Sequence, residues 1–301
     1  MEFRFKDSND LKEILNKYGA AIGLTTRLSI GYNGNVYILH EKAGSRENYR
    51  RYSVIILEVD WDEEKVVSDS CYFLGEFMSA YYFVQPFGEN ILLVDCRCSY
   101  NGGDPDKNAY VVSLNGELIR NFCLGDGIQS VLVRPDMSIV TGYFDEGVFG
   151  NMGWGDSNSE LPLGAAGIVV WDENGHKLFE ADSDIADCYA MNIGSDGDIW
   201  YYYYTDFLLT RFNGREKTEY DPHIKGAGFF ILIENGRSVI FDSGYGKSSL
   251  YEAYDLCDPD KRNEPCRLLF GDDELLIKMR VSYASMAAFI DNRSRLFIKR
   301  F

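Results

Sequence analysis

The 301-residue chain carries 47 Asp and Glu against 30 Lys and Arg, a formal net charge of −17, with 46% hydrophobic residues. This acidity excludes partners that demand clustered Lys and Arg, namely the phosphate backbone of nucleic acids and anionic membrane surfaces. No apolar run is long enough to cross a bilayer. The residues Met1, Glu2, Phe3, Arg4, Phe5 and Lys6 lack the apolar core of a signal peptide, and seven cysteines without framework spacing argue against a disulfide scaffold. A reducing cytoplasm is the expected compartment.

Residues 2–6 read as a strand. Leu11, Ile14, Leu15 and Tyr18 then recur at helical spacing, with Ser8 or Asn9 as the N-cap and Gly19 as the stop, predicting a short helix that plugs or caps the fold or docks a partner. From there the chain reads as strands divided by tight turns, with 21 Tyr and 19 Phe against 7 Pro.

One unit recurs six times: an apolar strand, a turn rich in Asn, Asp or Gly, and a second apolar strand. Its turns lie at Gly34, Gly88, Asp136, Gly197, Gly236 and Asn292, about 52 residues apart on average, the length of a four-stranded propeller blade with its loops. A second hairpin falls between copies, clearest at Asn115-Gly116, Asn174-Gly175 and Asn213-Gly214, with residues 62–65 as its equivalent in the first blade. The predicted fold is therefore all-β: a single six-bladed β-propeller over residues 1–301, with residues 1–20 an N-terminal strand and helix and residues 21–301 the blades. Strands are lettered A to D outwards from the channel. The last turn, at Asn292, reads as an A–B turn, so that residues 2–6 complete the sixth blade and cover its open edge. Met137-Ser138 stands where Asp-Gly is expected, which predicts a displaced turn in blade 3. The run of tyrosines from 201 to 204 reads as packing between blades.

The densest chemistry lies in residues 142–156, Gly-Tyr-Phe-Asp-Glu-Gly-Val-Phe-Gly-Asn-Met-Gly-Trp-Gly-Asp, a B–C excursion longer than ordinary blade loops. B–C and D–A loops share one face of a propeller. This excursion is therefore expected beside residues 125–129 and 184–189, collecting Asp126, Gln129, Tyr143, Asp145, Glu146, Asn151, Trp154, Asp187 and Tyr189 at the channel mouth, with Asp206 from the next blade. Polar groups converging with aromatics suit a ligand site. Residues 144–163 are expected to form an ordered lid over that mouth, with Phe149 and Trp154 as apolar anchors.

The stretches GYFDEGVFGNMGWG (142–155), DCYAMN (187–192) and YYYTDF (202–207) resemble a group of uncharacterised bacterial propeller-like proteins across roughly residues 120–246. The resemblance implies a propeller and brings no activity with it.

Sharper motifs fail. Gly246-Lys247-Ser248 lacks the glycine that a phosphate loop needs at position 241, where Phe stands. The three histidines have neither ligand spacing nor a nucleophile partner. Cys96 and Cys98 share a strand face but lack a second pair to complete a zinc site, and read as small buried hydrophobes. The expected function is a propeller that binds a small molecule or a protein segment at its loop-rich face, without a cofactor and without an identified reaction. The alternatives are a calcium-dependent hydrolase of the lactonase type, with Asp126, Glu146, Asn151 and Asp187 as ligands, and a structural scaffold in an assembly.

Overall fold

Alternating apolar strands dictate the architecture of the computed structural model, which describes residues 1–23, 25–155, 160–233, 236–247 and 249–301. Six antiparallel sheets stand around a central channel. Blade 1 is Arg27–Ile30, Val36–Ala43, Arg50–Asp60 and Lys65–Phe77; blade 2 is Tyr81–Phe87, Asn90–Asp95, Ala109–Ser113 and Leu118–Phe122. Blade 3 is Ile128–Val133, Ile139–Tyr143, Ile168–Trp171 and Lys177–Glu180, and blade 4 is Asp187–Ile193, Ile199–Tyr204, Leu209–Phe212 and Lys217–Tyr220. Blade 5 comprises Phe230–Leu232, Ser238–Asp242, Tyr251–Asp255 and Glu264–Phe270; blade 6 comprises Ile277–Tyr283, Met286–Asp291, Arg295–Arg300 and Asn9–Asp10. The chain is a six-bladed β-propeller.

Its core lies between blades. Phe87, Leu92 and Val94 of blade 2 meet Val131, Val133 and Ile139 of blade 3, and Phe230 and Phe241 of blade 5 meet Trp200 and Tyr202 of blade 4. Burial on both sheet faces explains why Ile199 through Tyr203 are all buried and only Tyr204 reaches solvent.

The ring closes differently from the sequence expectation. The turn near Asn292 joins strands B and C of blade 6, not A and B, because residues 277–283 are the inner strand. Asn9 and Asp10 then supply strand D, pairing with Leu296 and Arg295. Residues 2–4 instead extend blade 5, running parallel to its outer strand with Phe3 opposite Leu268. Phe5 is buried edge-on to Phe289 and Phe297, tying that strand to blade 6.

The short helix α1 (Leu11–Lys17) is capped by Asp10, not Ser8 or Asn9: the Asp10 carboxylate accepts the Glu13 N–H at 3.0 Å. Leu11 and Leu15 sink between blades 6 and 1, while Lys17 and Tyr18 bind Asp69. The helix braces the closure and contributes nothing to the channel lining described below. In blade 3 the turn is not displaced, because Met137 itself takes the left-handed conformation (φ +69°) and donates its N–H to Arg134. Among the described residues, no helix is long and apolar enough to cross a membrane.

Candidate functional site

The inner strands enclose a cavity of about 430 Å³, within the range of small-molecule sites. Its wall is built from strand A of every blade. On strand A of blade 1, polar Arg27 and Ser29 alternate with Leu28 and Ile30; in blade 6, Arg280 and Ser282 alternate with Met279 and Val281. Ser29 donates to the carbonyl of Val84 at 2.5 Å and Ser282 to that of Phe230 at 2.7 Å, so hydroxyls stitch neighbouring inner strands together.

One end of this cavity is stoppered. The Asn192 carboxamide of blade 4 accepts the Ala284 N–H at 2.7 Å and donates to the Ala284 carbonyl at 3.1 Å, while Tyr283 donates its hydroxyl to Val133 in blade 3. Tyr283 and Ala284 make the A–B turn of blade 6, so the closed end is the A–B face and the mouth opens on the loop-rich face.

Strand A carries a register shift near that mouth in blades 2, 3, 4 and 6, between Tyr81 and Phe83, Ile128 and Ser130, Cys188 and Ala190, and Ile277 and Met279. The residues left over are Tyr82, Gln129, Tyr189 and Lys278. Such bulges re-aim a side chain, and Tyr82, Gln129 and Tyr189 line the cavity. Beside Tyr189, the rings of Tyr204, Phe207 and Tyr245 cluster at centroid distances of 5.4 to 6.5 Å. Phe207 holds a left-handed backbone (φ +59°), a conformation costly for an aromatic residue.

The charge of the wall opposes that of the chain. Arg27 and Arg280 are its ionisable cations, and no carboxylate is among the described lining residues. The Arg27 guanidinium lies 4.3 Å from the centroid of the Tyr82 ring. Arg280 pairs with Asp242, whose buried carboxylate also accepts N–H groups of Gly228 and Gly244. Burial pushes the Asp242 carboxyl up, against the opposing pull of Arg280. Gln85 lines the same wall at 2% exposure, and among the described residues its Oε1 meets no hydrogen-bond donor.

The sequence-predicted residues divide into separate groups. Gln129 and Tyr189 line the cavity. Asp126 and Glu146 meet instead at Arg97, which sets Nε and Nη2 each 2.9 Å from Asp126 and hydrogen-bonds Glu146 with Nη1. Asp126 is buried, so desolvation raises its carboxyl despite Arg97, whereas the Arg97 hydrogen bond, followed by one from Asn151, lowers Glu146. Asp187 is pushed up to about 6, first by burial and second by the neighbouring Asp145 carboxylate. Asp206 is exposed.

Tyr143 is fully buried and lies outside the cavity lining, its hydroxyl donating to the Leu124 carbonyl and accepting from Thr141. Trp154 is likewise buried, donating its indole N–H to the Cys98 carbonyl at 2.8 Å and packing at a tilt against the Tyr100 ring. It anchors the excursion as expected, but Phe149 does not, being 69% exposed; Val148 and Pro162 are buried in its place.

Nor do the described residues of the excursion cover the cavity. They lean on blade 2, with Tyr100 N–H bonded to the Met152 carbonyl, and on the blade 2–3 connection, where Phe144 N–H bonds Gly127. Gly127 and Gly147 pack so closely that a β-carbon on Gly127 would lie 2.2 Å from the Gly147 nitrogen. Residues 156–159 of the expected lid, which include Asp156 at the end of the motif, lie outside the described residues.

The calcium set does not fit. The cation between Asp126 and Glu146 is the Arg97 guanidinium, Asp187 interacts with Asp145, and among the described residues no three His, Cys, Asp or Glu groups are arranged to hold a metal ion.

No protein-family model matches the chain, and no curated protein matches it. Among solved structures it is similar to Hsv2 of Kluyvelomyces marxianus, at 10% identity over 91% of this chain and 75% of that one, with a TM-score of 0.50. It is also similar to a chain of the mitotic checkpoint complex, at 8% identity over 99% of this chain and 94% of the other, with a TM-score of 0.51. At these identities the likeness is one of fold, and it joins the strand order in identifying the propeller.

Proposed function

We propose that this propeller is a binding module that takes a small organic anion into its central channel from the loop-rich face. The carrying observation is the composition of the wall: two arginines, one of them paired with Asp242, and no described carboxylate among the lining residues of a stoppered cavity of ligand size. The arginines suit a carboxylate or phosphate on such an anion. An acidic chain with a basic channel also separates solubility from recognition, since its outer charge repels other anions except where the arginines focus the field. The seven free cysteines fit a reducing, cytoplasmic setting.

Thermal-shift titration tests this reading with malate, inorganic phosphate and the neutral polyol erythritol as probes. Malate or phosphate should raise the unfolding midpoint, erythritol should not, and Arg27→Met should abolish the shift. If neither malate nor phosphate raises it, the channel reading falls.

A second reading, docking of a protein segment, draws on Phe149, Met152 and Leu161, three large apolar side chains that the excursion exposes. Replacing all three by Ser should abolish binding of such a segment and leave the channel titration untouched.

A further inference from the structure

The blade 2 B–C loop and the blade 2–3 connection bring two thiols together. Cys98 Sγ and Cys123 Sγ are 3.4 Å apart, although 25 residues separate them in the chain. Both flanks of the pair are fixed. The buried Asn108 carboxamide accepts the Leu124 N–H at 2.9 Å and donates to the Gly125 carbonyl at 2.8 Å, and Asp126 accepts the Cys98 N–H at 2.8 Å. The backbones are therefore held in register on either side of the sulfurs, which need to close by little more than an ångström to reach bonding distance.

The two thiols are also unequal. Cys123 is partly exposed and its sulfur accepts the Gly125 N–H at 3.4 Å. Contact with the Cys98 thiol, followed by that N–H, lowers the Cys123 thiol against the opposing effect of burial. Cys98 is 2% exposed and lies 3.1 Å from the Asp106 carbonyl oxygen, an acceptor for its S–H. One accessible sulfur beside one shielded sulfur is the arrangement of an attacking and a resolving thiol.

We infer that Cys98 and Cys123 form a reversible dithiol–disulfide site whose co-substrate is a low-molecular-weight disulfide. The Cys123 thiolate attacks one sulfur of the small disulfide, forming a mixed disulfide and expelling one small thiolate. Cys98 loses its proton and attacks the Cys123 sulfur of that mixed disulfide; the protein S–S bond forms and a second small thiolate leaves. The protein gives up two electrons and two protons, and the small disulfide becomes two thiols.

This site reports directly to the excursion. The Cys98 carbonyl holds the Trp154 indole, and its N–H holds Asp126, which pairs with Arg97 and thus with Glu146. Oxidation staples the connection to the loop on which the excursion is anchored, whether or not the channel binds a ligand.

Native protein is equilibrated with oxidised glutathione, quenched with acid and digested without reduction for mass mapping. The expected result is a Cys98–Cys123 crosslinked peptide, reversed by reduced glutathione, with loss of two of the seven titratable thiols. Cys98→Ala should stop at a glutathionyl adduct on Cys123, whereas Cys123→Ala should leave Cys98 unmodified. Mapping of the wild-type chain alone decides the pairing if either variant fails to fold. Recovery of native protein with Cys98 and Cys123 both free, or bonded to other cysteines, overturns the inference.

Discussion

Asn192 in blade 4 and Ala284 in blade 6 meet through two hydrogen bonds, 2.7 Å from the Ala284 N–H and 3.1 Å to its carbonyl. They stopper one end of the channel, and every group in the contact is buried or nearly so. Ala284 has a left-handed backbone (φ +52°), which the Asn192 carboxamide holds in place.

Asn192→Leu should therefore destabilise the fold by about 2–4 kcal/mol, since it leaves a buried N–H and a buried carbonyl unpaired. Asn192→Asp keeps an acceptor for the N–H but sets a carboxylate against the Ala284 carbonyl, so it should also destabilise, increasingly above neutral pH. Urea denaturation followed by tryptophan fluorescence measures both. A change within 0.5 kcal/mol for Asn192→Leu, about the scatter of neutral surface changes, would show that the stopper carries no strain or burial cost.

Gln85 predicts the opposite sign. Its Oε1 is buried without a described donor, so Gln85→Met should leave stability unchanged or raise it by about 1 kcal/mol. A marked loss of stability would mean that the amide is satisfied within the fold.

How far these features could be read from the chain differs between blades. Alternating strands identify blades 1 to 5, and Asn-Gly turns mark the outer hairpins of blades 2 to 4, where Gly116, Gly175 and Gly214 adopt the positive φ that those hairpins require. Blade 6 is misread since its inner turn is Ala284-Ser285, which carries no turn signal, while Asn292 marks the next hairpin outwards. That shift hides Arg280 and the Tyr283 stopper. The loop-rich face and the anchoring of Trp154 are legible, since both follow from strand order and loop length. The pairing of Asp126 and Glu146 through Arg97 is not, because Arg97 lies in a different blade's loop and a hydrogen-bonding partner leaves no periodic trace. Gln85 and Cys123 are equally silent, each a single residue whose meaning depends on what faces it across the ring.

Asp187 supplies a pH prediction. Its carboxyl titrates near 6 in the folded chain, above its ordinary value, through burial and the Asp145 charge. A carboxyl whose pKa is raised by folding opposes stability once ionised. Below about pH 3 both states are protonated and the opposition vanishes; it grows as pH rises through the ordinary value of 3.8 towards 6 and is complete above that. Asp187→Asn should thus stabilise at pH 7.5 by on the order of 1–2 kcal/mol after solvent screening, and by nearly nothing at about pH 3. Paired urea melts at the two pH values read the difference, and equal effects at both would assign the benefit to something other than the charge.

Trp154 separates packing from hydrogen bonding. The indole is 3% exposed, packs at a tilt against Tyr100 at 4.9 Å between ring centroids, and donates to the Cys98 carbonyl. Trp154→Ala removes ring and donor together and should cost about 3–5 kcal/mol, the usual range for emptying a buried aromatic site. Trp154→Phe keeps most of the ring contact and loses the N–H, so about 1–2 kcal/mol should be lost through the stranded carbonyl. Because the excursion bonds to blade 2 through Tyr100 and Met152, both variants should speed amide exchange at Tyr100, whose N–H meets the Met152 carbonyl, before they affect blades 5 and 6. Exchange that rises uniformly around the ring would place Trp154 in the global core and deny it a local anchoring role.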